Sequence, residues 1–98
     1  MNQAPTGKYA ERIERGAAFL DEKVPGWREK IDLDKLDIRA SSHCVVGQAT
    51  DDYFANVEDS WFGEDFYDAA VAHGFEWDLD DDAEDLTAEW RQYIEATR

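Results

Sequence analysis

Along the first quarter of the chain, Tyr9, Ile13, Ala17 and Leu20 recur at spacings of four, four and three, and Glu11 and Arg15 lie i,i+4 on a more polar face. With Thr6 as N-cap, this predicts an amphipathic helix ending near Lys23, while Met1 to Pro5 offer nothing to pack and are expected to fray. Pro25 suits the first turn of a short second helix, Pro-Gly-Trp-Arg-Glu-Lys-Ile, with Trp27 and Ile31 pointing inward one turn apart. From Ile31 to Ile38 apolar and charged residues alternate, then slip phase at Lys35. We read this as an extended crossing with its apolar side chains in the core, in preference to an edge strand.

Arg39-Ala40-Ser41-Ser42 carries a helix-start signal, since either serine oxygen can accept from an unpaired amide of the following turn. The helix predicted next runs from about His43 to Val57, with Val46, Ala49, Tyr53 and Val57 as its buried stripe and Val45 and Phe54 flanking. Gly47 inside it costs about 1 kcal/mol relative to Ala, which points to another element packed closely on the backbone there. Glu58 to Glu64 reads as a loop bearing Trp61 and Phe62. Asp65 to His73 reads as a helix with acids at its positive end and Gly74 just past its stop. Phe75, Trp77 and Leu79 alternate with Glu76 and Asp78 as a short strand would, and the chain closes in a helix striped by Leu86, Trp90, Tyr93 and Ile94. The fold class expected is mainly α: a compact single-domain bundle of about four to five helices over residues 1–98, with at most a minor short β element.

Composition changes this picture at one place. Residues 1–50 hold eight acids and eight bases, so the formal charge of −14 lies wholly in residues 51–98, where sixteen acids face only Arg91 and Arg98. Between Asp51 and Glu89 there are fifteen acids, no Lys or Arg, and eight aromatics. A hydrophobic content of 43% is too high for a disordered acidic tail, so the charge decorates a folded object. Anionic membranes and bare nucleic acid would both repel it. The one cysteine excludes an internal disulfide, and the absence of a signal-peptide pattern or long apolar run leads us to expect a soluble, cytoplasmic protein.

Candidate chemistry is sparse. Counting Asp78 as position one places Asp80, Asp82 and Glu89 at the carboxylate positions three, five and twelve of an EF-hand loop, but Ala83 stands where the turn glycine belongs. Diffuse cation attraction is the preferred reading of that run, with calcium binding by Asp78, Asp80, Asp82 and Glu89 as the alternative. Cys44 beside His43 permits a nucleophile–base pair only on paper, because helical neighbours diverge by about 100°. We read Cys44 as packed, His43 as solvated or capping, and His73 as complementing a helix C-terminus. No phosphate-binding glycine loop, serine nucleophile motif or cofactor motif occurs, so an enzyme is not expected. Tyr53, Phe66, Tyr67 and Trp90 fall on helical stripes and read as core, whereas Trp61, Phe62 and Trp77 sit in irregular segments among carboxylates. Aromatics with an acidic rim have the make-up of a protein-binding hot spot.

The run Gly16-Ala17-Ala18-Phe19-Leu20-Asp21-Glu22, followed by Pro25-Gly26-Trp27, Ile31-Asp32, Leu36-Asp37 and Cys44-Val45-Val46-Gly47-Gln48, resembles a group of small accessory proteins from actinobacteria and their phages. Gly74-Phe75, Leu86 and Trp90 extend the resemblance over most of the chain. It implies no enzymatic activity. Ser42 replaces a second cysteine that members of the group often carry there, which favours structural roles for Cys44 and Gln48. The expected function is a non-enzymatic, phage-encoded interaction module that docks Asp78, Asp80, Asp81, Asp82, Glu84 and Asp85, with Trp61, Phe62 and Trp77, onto a basic host protein. A nucleic-acid-binding protein held by DNA mimicry is its concrete version, and any dimer should form through residues 1–50.

Overall fold

The computed structural model describes residues 7–98. Its elements are α1 (Ala10–Lys23), a 3-10 turn (Trp27–Lys30), α2 (Val45–Thr50), a π-helical segment (Ala55–Trp61) and a second 3-10 turn (Gly63–Asp65) that leads into α3 (Phe66–Ala72). The last element is α4 (Ala83–Thr97). The mainly α bundle is as expected. The minor β element is not found, because among the described residues there is no strand. The expected fraying of Met1–Pro5 and the Thr6 cap lie outside the described residues.

The four stripe positions are buried, Tyr9 at the N-cap of α1 and Ile13, Ala17 and Leu20 within it, and the helix packs against α3 and α4. Gly16 is also buried, at a point where a Cβ would overlap the His73 carbonyl oxygen. The stripe of α4 comes in from the other side, with Leu86, Trp90 and Ile94 fully buried. Trp90 stacks on Phe75 at 6.3 Å, meets Trp27 edge-on at 6.0 Å, and donates its indole N–H to the Gly74 carbonyl at 2.6 Å. That bond matters because an unpaired buried indole N–H would lose its water without compensation.

The stop of α3 follows the expected logic in detail. Gly74 takes a φ of 73°, its N–H donates to Val71 O at 3.1 Å, and Phe75 N–H reaches back to Ala70 O at 2.8 Å. This is the paired-bond termination that a left-handed residue permits, and glycine enters that conformation without a Cβ clash.

Three boundary expectations are corrected. Gly26, not Pro25, precedes the Trp27–Lys30 turn, and its left-handed φ of 82° leaves Pro25 outside a helix. The helix expected over His43–Val57 is two pieces: α2 stops at Thr50, Asp51 turns left-handed at φ 70°, and Asp52 restarts the chain by accepting the Ala55 N–H on Oδ1 at 3.0 Å. Aspartate offers the backbone local bonds that compete with helix continuation, and Asp52 does so here. The restarted helix has π character as far as Trp61, so most of the segment expected to be a loop is helical. The stripe nevertheless holds, with Val46, Ala49, Tyr53 and Val57 all buried. Cys44, rather than a serine, caps α2: its Sγ accepts the Gly47 N–H at 3.3 Å.

The crossing from Ile31 to Ile38 is extended and turned, and it delivers Ile31, Leu36 and Ile38 to the core. Gln48 holds it to α2, accepting the Asp32 N–H at 2.6 Å and donating to Asp32 O at 3.2 Å and His43 O at 2.9 Å. Gly47 admits this approach, since a Cβ there would overlap the Ser41 carbonyl oxygen.

Candidate acidic docking surface

The run from Asp78 to Asp85 is a built structure rather than a loose charge run. Asp78 to Asp81 form a tight turn closed by Asp81 N–H to Asp78 O at 3.0 Å. The Asp81 carboxylate turns inward, accepts the Asp78 N–H at 2.8 Å, and accepts from the two terminal guanidinium nitrogens of Arg12, Nη1 and Nη2, at 2.7 and 2.9 Å. Its side chain is only 5% exposed. The forked bonds from Arg12 are the main reason that its carboxyl is held down to about 2. Arg12 itself lies over the Tyr9 ring at 4.9 Å, and the Tyr9 hydroxyl accepts the Asp82 N–H at 2.7 Å. On the other side, Tyr67 donates its hydroxyl to Trp77 O at 2.8 Å.

Asp82 is the N-cap of α4, where Oδ1 accepts the Glu84 and Asp85 amides at 2.9 and 3.2 Å, and Glu84 and Asp85 occupy the first turn. Acids there complement the helix dipole and remain in solvent. Glu89 accepts the Tyr9 N–H at 3.0 Å, which serves the start of α1. The four calcium-ligand candidates are thus divided. Asp82 caps one helix, Glu89 tends another, and among the described residues no three His, Cys, Asp or Glu side chains converge as a metal ion requires.

Of the sixteen acids in residues 51–98, twelve are exposed, and only Glu58, Glu76, Asp81 and Glu89 are half-buried. The bases do little to offset them. Arg91 and Arg98 spend their bonds on the backbone carbonyls of Leu33 and Leu36, and of Arg28 and Ile31. Among the described residues, Arg12–Asp81 is the one ion pair that reaches an acid of the second half; the other two, Arg28–Asp21 and Arg39–Asp37, lie within the first.

The aromatics sort differently from the sequence expectation. Trp61 and Phe62 pack on Phe19 at 5.1 and 5.3 Å and on Phe75 at 6.2 and 6.4 Å, so most of their surface belongs to the fold. Trp77 is half-buried against the core. The exposed apolar groups are Leu79 at 98%, Phe54 at 55% and Tyr67 at 43%. Leu79 sits at the apex of the clamped turn with Asp78 and Asp80 on either side. Sequence reasoning missed it by extending the Phe75–Trp77 alternation one step too far. The signal was present: a lone Leu between aspartates, at the head of four consecutive turn-and-cap residues, has no apolar stripe to join.

Cys44 is buried, and loss of water pushes its thiol up to about 11, the opposite of the lowering that makes a thiol nucleophilic. His43 is exposed. His73 ends α3 with Nδ1 at 2.7 Å from Ala69 O, as expected of a group at a helix C-terminus. Among the described residues no helix is long and apolar enough to cross a membrane. The bundle therefore defines a small all-α domain with one strongly acidic half. No family model, no curated protein and no solved structure matches this chain.

Proposed function

We propose that this protein is a non-enzymatic interaction module, phage-encoded and acting in the host cytoplasm, whose acidic half docks on a basic protein surface. The observation that carries the reading is the clamped turn. Arg12, Tyr9 and Tyr67 fix a fully exposed Leu79 among Asp78, Asp80, Glu84 and Asp85, all exposed and none in an ion pair among the described residues, while Lys8 Nζ donates to the Asp80 backbone carbonyl at 3.2 Å. Exposed leucine gains about 1.5–3 kcal/mol when a partner covers it, and a pre-set turn spares the ordering cost of forming the contact. The surrounding charge raises encounter rates with basic partners and repels acidic ones. DNA mimicry is the specific form we favour: carboxylates spread over helix ends take the place of phosphates on a nucleic-acid-binding protein of the host.

The test is displacement of labelled duplex DNA from a basic nucleoid protein of the host, read by fluorescence anisotropy at several salt concentrations. Displacement should weaken steeply with salt and disappear in the variant Asp78→Asn, Asp80→Asn, Glu84→Gln, Asp85→Gln. That variant leaves Asp81 and Asp82 in place so that the turn and the cap survive. Leu79→Ala should weaken displacement by about tenfold, the equivalent of roughly 1.4 kcal/mol. Unchanged displacement by the four-site variant would sink the reading.

A further inference from the structure

A second feature lies away from the turn, on the other side of Trp77. Between the Ile38–Cys44 connection and Tyr53 there is a cleft of about 200 Å³ with Tyr53, Phe54, Glu76 and Trp77 on its walls. The rings of Tyr53 and Phe54 stand at 85° to each other with centroids 5.3 Å apart, so they form two walls of a corner. Phe54 is 55% exposed at the rim, which keeps the corner open to solvent. Glu76 is half-buried, and its Oε2 accepts the Tyr53 hydroxyl at 2.7 Å. Among the described residues no base pairs with it; Arg39, which also lines the cleft, spends its Nε on Asp37 at 3.3 Å.

A glutamine at position 76 would accept the same hydroxyl without the cost of burying a charge. The chain instead keeps a carboxylate in a cleft that three aromatic residues also line, and burial pushes that carboxyl above its ordinary value. Aromatic faces attract cations, and a carboxylate beside them adds a counter-charge in a partly dry site. The volume is below the roughly 300 Å³ at which pockets for free small molecules begin, and suits one inserted side chain. One oxygen of Glu76 is already engaged by Tyr53, so the two-pronged grip that a guanidinium prefers is not on offer, whereas an ammonium needs only a point contact.

We propose that this cleft receives the ammonium end of a lysine side chain, with Tyr53, Phe54 and Trp77 as its aromatic walls and Glu76 as its counter-charge. The inference rests on the docking reading for the source of that lysine, a basic protein partner, and names a specific contact within it.

The experiment is an NMR titration of the full chain with Nα-acetyl-lysine N-methylamide, alongside the arginine and norleucine counterparts and n-butylammonium. Lysine should give saturable shifts at the Trp77 indole and the Phe54 ring while the Trp27, Trp61 and Trp90 indoles stay still. The neutral norleucine compound should bind at least about tenfold more weakly. Glu76→Gln and Phe54→Ala should each weaken lysine binding by a similar factor, the second at a position more than half exposed. Arg39→Ala should strengthen it by removing a competing cation. Equal binding of norleucine, indifference to Glu76→Gln, or unsaturable shifts spread over all exposed acids would overturn the proposal. Equal binding of arginine would overturn the assignment to lysine, and n-butylammonium binding more tightly than the lysine amide would assign the cleft to a free amine. Because the probes carry no basic surface, this result and the DNA-displacement result fail independently.

Discussion

Asp81 and Glu76 are both carboxylates of the acidic half, and their surroundings drive them in opposite directions. Asp81 is held down to about 2, below its ordinary 3.8, so it stabilises the fold fully above that ordinary value and loses its contribution as pH falls toward 2. Glu76 is raised above its ordinary 4.5 by burial, so it destabilises the fold at neutral pH and ceases to do so as pH falls through its folded value. Stability should therefore rise on acidification from neutrality and fall again below about pH 4, where Asp81 begins to titrate. Denaturant unfolding across pH checks this, with two variants as controls: Glu76→Gln should flatten the rise, and Asp81→Asn should flatten the fall. At neutral pH, Asp81→Asn should also cost about 1–3 kcal/mol, because Arg12 loses a charged partner in a half-closed site. At this scale the sequence announced charge density but not its use. Asp80 and Asp81 are indistinguishable neighbours in the chain, and only the return of α1 brings Arg12 to one of them.

At the scale of elements, the stripes of α1 and α4 and the stop of α3 were legible, because each is decided by residues within a few positions of one another. The break at Asp51 was not, although its stripe was: burial of Tyr53 and Val57 is compatible with a continuous helix, and the left-handed Asp51 with the local bond to Asp52 is something periodicity does not record. The sequence marks Gly47 as a point of close approach but not Gly16, which stands outside the Tyr9–Leu20 stripe. Both can be tested by a single methyl group. Gly16→Ala and Gly47→Ala each improve intrinsic helix propensity by about 1 kcal/mol. Each should nevertheless lower stability, by about 1–3 kcal/mol net, since the methyl meets a backbone carbonyl that cannot rotate aside. An increase in melting temperature in either variant would contradict the packing described here.

For the whole molecule, a formal charge of −14 on 98 residues, with one ion pair into its acidic half among the described residues, means that self-repulsion opposes folding. Adding salt up to about 0.5 M should raise the melting temperature, and relief of about 1 kcal/mol corresponds to roughly 4–8 °C in a domain of this size. The four-site variant Asp78→Asn, Asp80→Asn, Glu84→Gln, Asp85→Gln should gain less from salt than the parent; an equal gain would locate the repulsion elsewhere. The fold class and the lopsided charge were readable from the chain at this scale. Which apolar groups face solvent was not, because Trp61, Phe62 and Leu79 all sit in irregular sequence, and only the positions of Phe19 and Phe75 decide which of them are covered.

The clamp between Arg12 and Asp81 spans 69 residues of chain, and Tyr9 meets Asp82 and Glu89 across similar separations. Contacts of such length carry a loop-closure cost and slow the search for the native state. They also set an order of events during synthesis. Until Leu86, Trp90 and Ile94 have left the ribosome, α1 has no α4 to close upon, and the core that holds Arg12 and Tyr9 against the turn bearing Leu79 is incomplete. The docking surface thus comes into being in the same step that completes the core, so a nascent chain offers a basic partner neither the shape nor the grip of the finished one.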